Sequence, residues 1–122
     1  MFKLVDLLEK NKEELVLLEA RDSGKTVEFA RENDVPIMIN CFRYYAGWAD
    51  KILGTTTPMN GPFVSQTRKE AVGVCAQIIP WNFPLAMLSW KLAPVLATGC
   101  VSVMKTSEKT PLSAILFCEL FK

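Results

Sequence analysis

No histidine occurs anywhere in the 122 residues. That absence removes every Ser-His-Asp and Cys-His arrangement, so the usual pairing of a nucleophile with an imidazole base cannot be assembled here. The four cysteines, Cys41, Cys75, Cys100 and Cys118, stand 34, 25 and 18 residues apart. Without a CxxC pair or a histidine, they lack the spacing of a zinc site and read as buried, reduced thiols. Charge of one sign is not in excess either. Fourteen basic residues against thirteen acidic ones leave a formal net charge of +1, and the charges are scattered. Such a chain offers no electrostatic footprint for nucleic acid or an anionic membrane surface. No stretch of 18 apolar residues occurs, and the greasiest region, Phe83 to Val103, is broken by Lys91, Pro94 and Gly99, which argues against a membrane span. The dinucleotide fingerprint GxGxxG and the phosphate loop GxxxxGK[ST] are both missing.

What is present is apolar: hydrophobic residues make up 50% without counting glycine, whereas a soluble domain reaches about 45–50% with glycine included. The surplus predicts faces that pack on other parts of a larger subunit or on a neighbouring one. The opening stretch carries Asp6, Glu9, Glu13 and Glu14. Transit peptides are poor in acids and signal peptides need a longer apolar core, so the expected compartment is the cytoplasm.

Leu4, Leu8, Leu15 and Leu18 fall at helical spacing and predict one amphipathic helix from Phe2 to about Arg21, stopped by Ser23-Gly24. Starting almost inside a helix leads us to expect that something normally precedes it. A shorter helical piece around Thr26–Glu32 should end at Asn33-Asp34. Pro36 should then open a helix running to about Ile52 and ended by Gly54. Its Phe42, Tyr44, Tyr45 and Trp48 read as core or subunit contacts. Thr55–Glu70 is rich in strand-favouring residues and contains Asn60-Gly61, a hairpin signal.

Val72–Ile79 is a nearly unbroken apolar run, as expected of a strand buried on both faces of a parallel sheet. Pro80 stops it. Asn82 can cap a helix whose first turn holds Pro84, which runs to Thr98 with a kink at Pro94. Cys100–Met104 reads as the next strand, and Thr110-Pro111 as the cap and first turn of a last helix to Lys122. The expectation is therefore an α/β chain. Residues 1–54 should be helical, 55–70 a β-hairpin projecting from the domain, and 71–122 a β-α-β-α unit.

A helix of about 14 residues travels roughly 21 Å back along a sheet, and a strand of about five residues returns about 17 Å. The loops Pro80-Trp81-Asn82 and Lys105-Thr106-Ser107-Glu108 should therefore meet at the carboxyl edge of two parallel strands, where open α/β sheets hold ligands. Residue types alone go no further. An asparagine before a proline-started helix is usually a cap, and a lysine and glutamate three apart after a strand usually form a solvated turn.

The segment Gly73–Ala114 resembles the aldehyde dehydrogenase superfamily in two motifs, PWNFP at Pro80–Pro84 and the lysine-to-leucine stretch KTSEKTPL at Lys105–Leu112. The 23-residue step from Asn82 to Lys105 matches as well. The likeness extends upstream through DSGK at Asp22–Lys25 and FRYYAGWADKI at Phe42–Ile52. It implies a truncated form of that family's fold, with the β-α-β-α unit as part of a Rossmann-like parallel sheet in the cofactor-binding domain and the catalytic domain outside these residues. It implies that Asn82 donates to the oxyanion formed when a catalytic thiolate adds to an aldehyde. It implies that Lys105 and Glu108 reach the adenosine ribose of NAD, that Thr106 and Ser107 belong to the same loop, and that Ile79, Pro80 and Trp81 line the cofactor. An acid at Glu108 would repel a 2′-phosphate and so favour NAD over NADP.

Two positions depart from the family pattern: Cys100 stands where asparagine is usual and Thr106 where proline is usual. The family's nucleophilic cysteine and general-base glutamate lie well downstream of the matching region, and none of the four cysteines here has the nucleophile's context. The resemblance thus implies an oxidoreductase that converts an aldehyde to a carboxylic acid with NAD in a longer polypeptide, as a homo-oligomer or in association with related subunits. The alternatives are a catalytically silent interaction fragment docking on intact subunits and a non-functional gene relic.

Overall fold

The computed structural model describes residues 1–122. The elements, in order, are α1 (Phe2–Lys10), α2 (Lys12–Ser23), α3 (Val27–Phe29), a π-helical turn (Ala30–Asp34), α4 (Val35–Ala46), β1 (Thr56–Thr57), β2 (Ser65–Gln66), β3 (Val74–Ile78), α5 (Pro84–Ala97), β4 (Val101–Lys105) and α6 (Leu112–Phe121). No helix is long and apolar enough to cross a membrane.

The expected first helix is two. Asn11 bends the chain at φ −102° and ψ 19°, and its side-chain amide donates to the Leu7 carbonyl at 2.7 Å. Such a local side-chain bond competes with the helix ladder and favours a turn. Gly24 ends α2 as expected, with φ 74° and its N–H on the Ala20 carbonyl. The predicted break at Asn33-Asp34 does not occur. The chain passes through the π-helical turn instead, with the Val35 N–H bonded to the Ala30 carbonyl. Pro36 has no N–H to return to a preceding carbonyl, and the wider turn accommodates it without a stop. Helix α4 ends at Ala46 rather than near Ile52. Gly54 serves a different purpose: a Cβ there would fall 1.8 Å from the Thr67 carbonyl oxygen, so only glycine lets the two feet of the hairpin approach.

The hairpin pairs Thr56 with Gln66 and Thr57 with Ser65, antiparallel. Its arms are only two residues each. Strands β3 and β4 pair in parallel, from Val74 opposite Val101 to Ile78 opposite Lys105. Against expectation, this sheet is not buried on both faces. Cys75, Gln77, Ser102 and Met104 turn inward, and Gln77 donates to the Lys91 carbonyl of α5 at 2.7 Å while accepting from Ser102 Oγ at 3.0 Å. The alternate residues Val74, Ile78, Val101 and Val103 are each more than 60% exposed. The apolar run suits two covers, and α5 supplies one.

The core sits among the helices. Leu8, Leu15, Phe42, Leu88 and Phe117 are completely buried, one from each of α1, α2, α4, α5 and α6. The Phe42 and Phe117 rings stack with centroids 5.3 Å apart. Of the four cysteines, Cys118 is exposed and the other three are half-buried, so none is the fully buried thiol expected.

Candidate functional site

The parallel register decides where the two predicted loops go. Ile78 lies opposite Lys105, and the ladder extends one step further through the Ile79 N–H, which donates to the Lys105 carbonyl at 2.9 Å. The chain leaves both strands at the same edge. Ile79 is 2% exposed, while Pro80, Trp81 and Asn82 are open to solvent.

Two further contacts join the loops. Thr110 is buried, and its hydroxyl donates to the Trp81 carbonyl at 3.3 Å. The Lys109 ammonium stands 5.6 Å from the centroid of the Trp81 ring. Within the second loop, buried Ser107 accepts from the Lys109 N–H at 3.2 Å, and half-buried Thr106 gives its carbonyl to the Lys105 ammonium at 3.0 Å. The same ammonium pairs with Glu108 at 3.1 Å. Glu108's own backbone N–H, and then the Lys105 charge, hold its carboxyl below the usual glutamate range. The edge therefore presents an exposed, ionised carboxylate, an exposed ammonium and, on the facing loop, the side-chain amide of Asn82.

Asn82 does not cap α5. The cap position is Phe83, at φ −142° and ψ 68°, without a side-chain cap bond. Thr110 does not cap α6 either, since its hydroxyl is turned to Trp81 and the cap position is Pro111. Both duties fall to residues of α2 to which the sequence assigned no capping role. Glu19 Oε1 accepts from the Leu85 N–H at 3.3 Å, and Asp22 Oδ2 accepts from the Leu112 N–H at 2.7 Å. The only local signal was an acid pair three apart, which on a helix shares one face.

Glu19 is completely buried, and burial pushes its carboxyl above the ordinary value of 4.5. The neighbouring Ser113 hydroxyl opposes the shift without a formed hydrogen bond, leaving Glu19 Oε2 and Ser113 Oγ both buried and unpartnered. The folded chain thus holds this proton more tightly than the unfolded chain. The associated stability is complete below the ordinary glutamate pKa and is lost as pH rises through the raised one. Glu19→Gln keeps an acceptor for Leu85 and cannot ionise. The melting temperature of the parent relative to the variant should therefore fall as pH is raised from about 4.5. Paired melts across that range check it; a parent that gains on the variant with rising pH would show that burial does not raise the Glu19 pKa.

A groove of about 730 Å³ lies elsewhere. Val72, Cys75, Pro94, Val95 and Cys100 line it at the amino end of the parallel pair. It is mainly apolar and contains none of the predicted site residues, so size alone does not identify the functional edge.

Comparison with known proteins gives a uniform result. The pattern of the aldehyde dehydrogenase family matches residues 1–122. The chain is 53% identical to benzaldehyde dehydrogenase, mitochondrial, of Antirrhinum majus over 121 residues, 99% of this chain and 23% of that protein. It is 52% identical to aldehyde dehydrogenase, mitochondrial, of Rattus norvegicus over 122 residues, all of this chain and 24% of that protein. A solved NAD+ complex of aldehyde dehydrogenase from Bacillus cereus superposes with a TM-score of 0.96 at 50% identity, covering 98% of this chain and 24% of the other. The chain spans about a quarter of the length of these relatives.

Proposed function

The chain belongs to the aldehyde dehydrogenase family, and from that premise we propose that its carboxyl sheet edge is part of the NAD site of an enzyme oxidising an aldehyde to a carboxylic acid. In this proposal residues 1–122 belong to the cofactor-binding domain, with a helical part at 1–54, an association hairpin at 55–70 and the nucleotide-facing unit at 71–122. The observation that carries the reading is the register of Ile78 with Lys105, which puts the Ile79–Asn82 and Lys105–Glu108 loops side by side. Open α/β sheets hold their ligands at that edge.

The residues present fit a dinucleotide. A ribose offers hydroxyl donors, and Glu108 is an exposed carboxylate held in its accepting form. Lys105 supplies a donor beside it, and Pro80 and Trp81 provide an apolar wall with a ring, underlain by buried Ile79. Thr106 and Ser107 shape the turn that brings Glu108 round. NAD, when bound, accepts the hydride that aldehyde oxidation releases. This chain's own contributions are orientation and charge. The Asn82 amide forms no hydrogen bond within the chain and is free to donate to a developing oxyanion; losing such a donor costs about 10²–10³ in rate where it has been measured.

Specificity gives the test. The Glu108 carboxylate should repel the extra phosphate of NADP+, a penalty worth a few-fold in affinity at an exposed position. Titrating the chain with NAD+ and with NADP+, followed through the Trp81 indole resonance, should show tighter binding of NAD+. Glu108→Gln should bring the ratio of the two dissociation constants towards one. An unchanged ratio would remove Glu108 from the ribose.

A further inference from the structure

Helix α2 stands outside the loops assigned above, yet its last turns reach both of them. Neither α5 nor α6 has a side-chain cap of its own, and their cap positions are Phe83 and Pro111. The first turn of any helix leaves backbone N–H groups without intrahelical partners. Here Glu19 takes the Leu85 N–H at 3.3 Å, and Asp22 takes the Leu112 N–H at 2.7 Å and that of Ser113 at 3.4 Å. The Asp22 carboxylate also meets the positive pole of α6. Beyond Gly24, the Lys25 ammonium lies 3.7 Å from the centroid of the Phe83 ring and pairs with buried Asp34 at 2.6 Å. Phe83 follows Asn82 directly, and Leu112 lies four residues after Glu108.

One short stretch, Glu19 to Lys25, thus holds the exit of each site loop. We propose that Glu19, Asp22 and Lys25 are positioning residues that fix the spacing between the Asn82 amide and the Lys105–Glu108 pair by anchoring both following helices to one face of α2. The inference rests on the reading of those loops as a nucleotide site. It gives the DSGK segment a task that the site itself leaves unassigned. Glu19 and Asp22 lie three apart, so a movement of α2 shifts both loops together and preserves their separation. Losing either carboxylate releases one loop alone.

The test compares isotope-labelled 122-residue chains carrying Asp22→Ala and Asp22→Asn with the parent. Asp22→Ala removes the acceptor from a half-buried position and should speed amide exchange at Leu112 and Ser113 about fivefold. It should displace the Glu108 backbone resonance, weaken NAD+ binding by a similar factor, and leave α1 amides unmoved. Asp22→Asn keeps an oxygen acceptor and should restore all of these. Glu19→Gln against Glu19→Leu provides the same contrast at α5 for Asn82, and the Asp22 pair decides the matter if Glu19→Leu does not fold. An unmoved Glu108 resonance in Asp22→Ala, or an asparagine no better than alanine, would overturn the proposal. If the parent itself gives no shift with NAD+, the nucleotide reading fails, and the clamp is then judged on the exchange rates and loop resonances alone.

Discussion

The 122-residue chain, incubated with NAD+ and a short aliphatic aldehyde, should form no NADH above the uncatalysed background. The carboxyl edge holds a candidate oxyanion donor, and a donor accelerates an addition only when a nucleophile is present to add. None of the four thiols is placed to do so. Cys41 lies on α4 and Cys118 on α6, and burial raises both pKa values. Cys75 belongs to the amino half of β3, where burial and then the neighbouring Cys100 raise it. Cys100 alone is lowered, chiefly by the Thr98 hydroxyl, which donates to its sulfur at 3.5 Å. Yet it precedes β4, and five strand residues separate it from the loop beyond Lys105, roughly 17 Å at strand rise. General bases are equally scarce. With no histidine, the carboxylate at the edge is Glu108, which its own N–H and Lys105 make a weak base. NADH absorbance, followed in parallel for the chain and for Cys100→Ser, checks the expectation. A signal that survives purification and disappears in the variant would place a working thiol where the geometry does not.

The second large effect concerns association. At tens of micromolar the chain should elute as a species larger than a monomer, and light scattering should assign it at least twice the monomer mass. Its parallel sheet has two strands, hence two edges with unpaired backbone groups, and its outer face presents Val74, Ile78, Val101 and Val103 to water. Phe63 and Val64, in the hairpin loop, are 67% and 85% exposed. Soluble monomers rarely leave so many large apolar side chains contiguous and wet, and open strand edges template pairing with another chain. A second copy offers the same edges and the same face, and the near-zero net charge opposes its approach only weakly. Replacing Phe63 and Val64 with lysine puts two charges on the hairpin loop and should shift the elution towards the monomer. A parent that stays monomeric and melts sharply would show that these surfaces are self-sufficient.

The β-α-β-α half was legible because its signals are local. Two apolar runs, a proline that opens α5 and a glycine that follows it mark the elements within a few residues of themselves. The meeting of the two site loops then follows from chain length alone. The DSGK stop was legible for the same reason, since Gly24 needs only its own positive φ. The capping was misassigned because its partners are remote. Glu19 and Leu85 are 66 residues apart, and Asp22 and Leu112 are 90 apart, so Asn82 and Thr110, the obvious local caps, were credited instead. Freed from that duty, Thr110 binds the Trp81 carbonyl and Asn82 is left with its amide unengaged, an outcome that favours the site. The burial of β3 was misjudged differently. Its composition describes a strand with two covers, and composition carries no information on whether the second cover comes from the same residues.

The parallel pair also has a bearing on the order in which the chain folds. Val74 and Val101 are register partners separated by 27 positions, and the segment between them is mostly α5. Bringing them together closes a long loop, an entropic cost that falls before any ladder bond compensates it. Helix α5 lowers that cost once it has docked on the helical core through Leu85 and Leu88, because a docked crossover already holds both strand ends on the same side. The ladder at the proposed site thus leans on its own crossover: the strands whose ends carry that site are expected to pair once α5 has docked on the helical core.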